Sequence, residues 1–127
     1  MEKFHEEIRK NELSKFQNAV RTEDRRILRL YQCISQTNPA AADRVALRFS
    51  LLHDSGFSSE TERLITEGMN AESAVSAASA RLCAALGDTD REYFCERIND
   101  IRENERLLIK RMRQNGEKQQ KTCAAGW

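Results

Sequence analysis

The sequence predicts an all-α fold, a four-helix antiparallel bundle whose second helix is kinked or broken near Gly56. Three observations predict it. Apolar residues recur at spacings of mostly three, four and seven along much of the chain. One proline and five glycines in 127 residues leave too few turns for a sandwich or a barrel. Capping residues stand ahead of helical runs at Asn38, Asn70 and Thr89.

The first helix is expected over roughly residues 2–36, with Phe4, Ile8, Phe16, Val20, Ile27, Tyr31 and Ile34 as its apolar stripe. Asn38 then caps a second helix, and Pro39 occupies the first helical position, where a missing N–H costs nothing. This helix runs to about residue 54, with Val45, Ala46, Phe49 and Leu52 on one side. The segment HDSGFSS interrupts it, with Gly56 as the expected break. Ser59 and Glu62, at capping-box spacing, restart a short continuation to about residue 67, which Gly68 closes. The third helix, about 70–86, is rich in alanine and serine, so its neighbours can approach closely. Thr89 and Glu92 open the fourth, about 89–114, with Phe94, Ile98, Ile101, Leu108 and Met112 as its stripe. Residues 1–115 read as one domain. Residues 116–127 are polar and aperiodic and are expected to form a disordered tail that leaves Trp127 exposed.

The 21 lysines and arginines against 20 acids leave a formal charge of +1, which supplies no general field for nucleic acid or an acidic membrane. No apolar run approaches the roughly 20 residues of a membrane span. The opening MEKFHEEIRK has no apolar secretory core, so the cytoplasm is the expected compartment. Cys33, Cys83, Cys95 and Cys123 stand far apart, as expected of reduced thiols rather than a disulfide framework or a zinc site. The only histidines are His5 and His53. Glu2 and His5 make one E-x-x-H pair, whereas a di-iron bundle needs two. Phosphate-loop, dinucleotide, serine-hydrolase and zinc-protease motifs are all missing. The basic run RRILR is offset by Glu23 and Asp24 and reads as a solvated face. Lys110, Arg111 and Arg113 read as a favourable helix C-terminus. No catalytic residue, metal ligand or cofactor is expected in this chain.

One stretch is more specific. Asp90, Glu92, Tyr93, Phe94, Glu96, Arg97, Asp100, Ile101 and Arg102 fit D-x-E-Y-[LF]-x-E-R-x-x-D-[IV]-R without a gap, after a helix start M-N-A-E-x-A at Met69. Upstream, Val45 through Asp54 fits F-E-x-H-x-x-L-L-x-D at Leu51, Leu52 and Asp54, with Val45, Ala46 and Arg48 replacing the Phe, Glu and His. Over about residues 40–112 the chain resembles the helical N-terminal domain of PEP-utilising enzymes, specifically Enzyme I of the sugar phosphotransferase system. The first helix matches by pattern alone. The resemblance implies a docking domain for the phosphocarrier protein HPr. In that family the active histidine lies on a neighbouring α/β domain, and phosphoenolpyruvate with magnesium binds a C-terminal barrel. The G-x-T-S-H type segment that bears the histidine is missing from this sequence. The expectation is therefore an excised domain or a stand-alone homologue that does not turn over phosphoenolpyruvate itself. The alternative is a diverged helical protein with a structural or regulatory role, and a metal-binding bundle enzyme is the third reading.

Carried over by motif, the implied partner surface comprises Leu51, Asp54, Phe57, Tyr93 and Phe94, with Arg97 at its edge. Gly56 is expected to let the chain turn and lift Phe57 off the bundle, and Arg97 to bridge to an acid on another helix. The family places several acids before the second helix and at the kink. Here Pro39, Ala40, Ser55 and Gly56 stand there, and Asp43 and Asp54 supply the only charge. Complementarity to a basic HPr face is weaker, which implies slower association.

Overall fold

The computed structural model describes the backbone of residues 2–86 and 91–125 and the side chains of residues 4–86, 92, 93 and 95–115. Five helices follow one another: α1 (Glu2–Ile34), α2 (Pro39–Leu52), α3 (Ser55–Thr66), α4 (Ala71–Ala85) and α5 (Arg91–Ala125). No strand occurs among the described residues. The expected second helix and its continuation are α2 and α3. The last helix does not end near Gly116 but runs on to Ala125. The expected Thr89–Glu92 box lies partly outside the described residues.

The two long helices, 33 and 35 residues, are each about 50 Å in length and form the frame. α1 packs on α5 and α2, α3 packs on α4, and α4 packs on α5. Phe16, Ile27, Val45, Leu52, Phe57, Ile65, Leu108 and Met112 fill the centre, and the rings of Phe16 and Phe57 meet edge to face with centroids 6.3 Å apart. α4 presents Ala71, Ala74, Val75, Ala78 and Ser79 to this core. Side chains that small let helix axes approach closely, which is why an alanine-rich helix takes the crowded position.

The α1 stripe holds from Phe16 through Ala19, Glu23 and Ile27, all buried, but not at its start. Phe4 is 66% exposed and Ile8 43%. A strict spacing of four drifts by about 40° per step round a 3.6-residue helix, so Phe4 lies about 120° from Phe16. Tyr31 is also exposed, at the flank of the stripe.

The break between α2 and α3 falls at His53 and Asp54. His53 ends α2, and Asp54, in extended conformation, accepts a hydrogen bond from the Phe57 amide at 3.0 Å and so starts α3. Gly56 is therefore inside the first turn of a helix, and only Gly68 among the described residues has positive φ. An aspartate that offers its own acceptor to the next turn interrupts a helix without needing a glycine. Ser59 and Glu62 lie within α3 and cap nothing. Asn38 and Asn70 cap α2 and α4 as expected, accepting from Ala41 and Ser73. Gly68, at φ 112°, closes α3: its amide donates to Ile65 and that of Met69 to Leu64, the paired bonds of a Schellman ending.

Two of the polar contacts between elements tie α1 to the others. The Glu23 carboxylate on α1 accepts from Arg111 Nε on α5 at 2.7 Å, with both residues buried, and Arg111 Nη1 donates to Gln114. Lys110, Arg111 and Arg113 thus do not form a helix C-terminus as expected: they lie within α5, and Arg111 is interior. Glu12 on α1 accepts the Ala71 amide at 2.8 Å, so one helix caps the start of another.

Arg111→Met would strand the Glu23 charge in the core and should cost about 3–5 kcal/mol in urea unfolding, most of which a further Glu23→Leu recovers. Equal losses in the single and double variants would show that the two charges do not act as a pair. A second expectation concerns acid. Burial raises the Glu12 pKa, but the Ala71 amide and Lys15 outweigh it, so the folded value lies below the usual 4.5. The stabilisation is complete above about pH 4.5 and is lost as pH falls through the lowered folded value. Glu12→Gln keeps an acceptor for Ala71 but no titration, so its unfolding free energy should fall less steeply below pH 4.5 than that of the unaltered chain.

Candidate docking surface

The implied surface residues stand on three helices, and their burial separates them. Tyr93 is 55% exposed near the start of α5. One turn on, the Arg97 guanidinium lies 5.4 Å from the centroid of the Tyr93 ring. Arg97 itself is buried, and its Nη2 meets Asp100 Oδ2 at 2.9 Å. The expected bridge to another helix is therefore replaced by a bridge within α5, because a spacing of three already puts an acid on the same face. Arg97 Nε has no hydrogen-bond partner.

The polar edge of α5 continues with Asn104, whose Nδ2 donates to the Arg48 carbonyl at 3.1 Å while its Oδ1 accepts from Arg48 Nε at 3.4 Å. This exchange fixes α2 against α5 and so sets where Leu51, one turn beyond Leu47, meets solvent. Leu51 is half-buried. It shares a small depression with Phe57, Leu82, Ile101 and Asn104. Ile101 is one turn from Arg97 and about two from Tyr93 along α5.

Phe57 is not lifted away from the bundle. It is 5% exposed and packs on Phe16, because Asp54 directs the chain into a helix that turns position 57 inward. Asp54 is occupied as the cap of α3. The Phe94 side chain lies outside the described residues. A residue that the motif reading passed over is Leu47, 44% exposed, four positions before Leu51 on the outer side of α2. That spacing was the available signal, and the matched motif did not include it.

Beside this region a groove of about 410 Å³ runs between α3 and α4, edged by Asp54, Gly56, Glu60 and Arg81. Glu60 holds both Arg63, at 2.7 Å, and Arg81, at 2.5 Å, and these two guanidiniums pull its carboxyl down to about 2. Cys33 and Cys95 are exposed free thiols, and burial pushes the Cys83 thiol up. No group of three potential metal ligands occurs among the described residues, and no described helix is long and apolar enough to cross a membrane.

Residues 2–97 match the family model described as the N-terminal domain of PEP-utilising enzymes. An NMR solution structure of Enzyme I (nEIt) superimposes with a TM-score of 0.74 at 20% identity, covering 84% of this chain and 44% of that one. This chain thus spans less than half of that protein's length. No curated protein matches the sequence.

Asp54→Ala should cost about 0.5–2 kcal/mol in urea unfolding and lower amide protection at the start of α3, whereas Asp54→Asn, also a good cap, should be nearly neutral. Equal losses for the two would remove the cap as the cause of the break.

Proposed function

The chain belongs to the family of N-terminal domains of PEP-utilising enzymes, and on that premise we propose that it is the carrier-docking domain of an Enzyme I-type phosphoenolpyruvate–protein phosphotransferase. Its partner is an HPr-like phosphocarrier. Family membership supports the reading, and the exposed Tyr93 ring is the observation that carries it at the surface. A large aromatic left in solvent over a buried arginine is a preorganised anchor, since Arg97 and Asp100 hold its platform in place. Leu47 and Leu51 supply the neighbouring apolar contact. Phe57 and Arg97 act from beneath the surface by positioning it, and Asp54 by ending the loop.

The chain by itself performs no phosphotransfer in this reading. His5 is exposed on the first turns of α1, and His53 Nε2 is engaged by Asp24 at 2.5 Å. The chemistry belongs to the family's other domains, with magnesium bound there, and this domain brings the carrier to them. Without the acids that the family places near Pro39 and Gly56, encounter is governed less by charge and more by the apolar patch.

The test is a titration of HPr from the same cell into isotope-labelled protein. Shifts should cluster on Leu47, Leu51 and the first turns of α5, and Tyr93→Ala should weaken binding about tenfold without loss of stability. No binding at millimolar carrier would favour the diverged structural or regulatory protein instead.

A further inference from the structure

A cleft of about 290 Å³ between α1, α2 and α5 is lined by Arg26 and Arg29 from α1 and Arg48 from α2, over an apolar floor of Ile27, Leu30 and Leu107. The acids that offset the RRILR run in the sequence neutralise it only in part in the fold. Glu23, at the base of the cleft, is taken by Arg111 at 2.7 Å and lies 3.8 Å from Arg26. Asp24 is taken by His53. Arg29 makes no ion pair among the described residues. Arg48 spends only its Nε, on Asn104, and that bond holds its side chain in place. The remaining nearby acid, Glu103, is gripped by Arg106 at 2.6 Å. Five arginines thus stand against three carboxylates, Glu23, Asp24 and Glu103, leaving an excess of two positive charges around the concavity. Arg111 adds a buried Nη2 with no acceptor, next to Glu23.

We propose that this cleft binds a small phosphorylated anion, a phosphate monoester with a compact organic body. Planar guanidiniums from two helices suit the three acceptor oxygens of a phosphate and its charge of about −2. The leucines and isoleucine below would cover the carbon body, and the volume fits a small molecule rather than a strand or a helix. With a net charge of +1 for the whole chain, the excess is local to this site and is not a general basic surface. The site uses other residues than the carrier surface, although both stand on α2 and α5 and the Arg48–Asn104 contact lies between them.

Isotope-labelled protein is titrated with inorganic phosphate and with a hexose phosphate, against chloride at matched ionic strength. Saturable shifts are expected around Arg26, Arg29 and Arg48, with the hexose phosphate the tighter ligand. Arg29→Gln and Arg48→Gln should each weaken binding about tenfold. Arg113→Gln, which removes an exposed arginine paired with Glu72 elsewhere, should leave it unchanged. Circular dichroism should show the same helix content in all three variants, and HPr binding should be unaffected by Arg29→Gln. Shifts that follow ionic strength alone, no saturation, or equal weakening by Arg113→Gln would overturn the assignment. So would tighter binding of a polyglutamate peptide at the same residues, which would make the cleft a contact for an acidic protein.

Discussion

The buried contact between Glu23 and Arg111 is the constraint from which the rest of the arrangement follows. Two charges 88 positions apart are almost fully withdrawn from water, and neither can be buried without the other. Their meeting fixes how α1 and α5 are rotated about their axes. With that rotation set, Phe16 and Ile27 point at the same core as Leu108 and Met112, and Glu12 arrives at the start of α4. The same event gives Glu23 its shorter bond to Arg111 and leaves Arg26 3.8 Å away. A single interior pair therefore shapes both the packing of the frame and the charge of the cleft beside it.

Much of the fold was legible because its signals are local. Asn38 with Pro39, Asn70 and Gly68 act within one turn of the chain, and their roles in the structure are those that spacing suggested. The break between α2 and α3 was misplaced by two residues because two local signals competed. Glycine permits a turn, but Asp54 provides a bond that rewards one, and the bond decided. The outward drift of Phe4 and Ile8 was readable in principle from a spacing of four. It was missed because a stripe is judged by its spacing and not by its accumulated angle.

The surface was less legible than the fold. A motif gives the order of residues and says nothing of depth, so Phe57 and Tyr93 carried equal weight, with Arg97 at their edge, until burial distinguished them. Arg97 lies within reach of Asp100 on its own helix, and that short-range acid pre-empts any partner elsewhere. Charge balance read along the chain was incomplete for the opposite reason, since Glu23 stays 3.8 Å from Arg26 but makes a shorter bond elsewhere. Glu23 and Asp24 neighbour the RRILR run in sequence, yet their partners, Arg111 and His53, come from distant segments.

The bond from Glu12 to the Ala71 amide spans 59 positions, which ties the beginning of α4 to the arrival of α1. Most helices order their first turn with neighbouring residues and can do so early, on the timescale of local structure. Here Asn70 serves Ser73, while the Ala71 amide waits for a side chain that approaches only when the long first helix has settled. Hydrogen exchange at Ala71 is accordingly a reporter of α1 docking and not of local fraying. Any excursion that lifts α1 from the bundle will unprotect this single amide together with α1, while Ser73 beside it stays shielded.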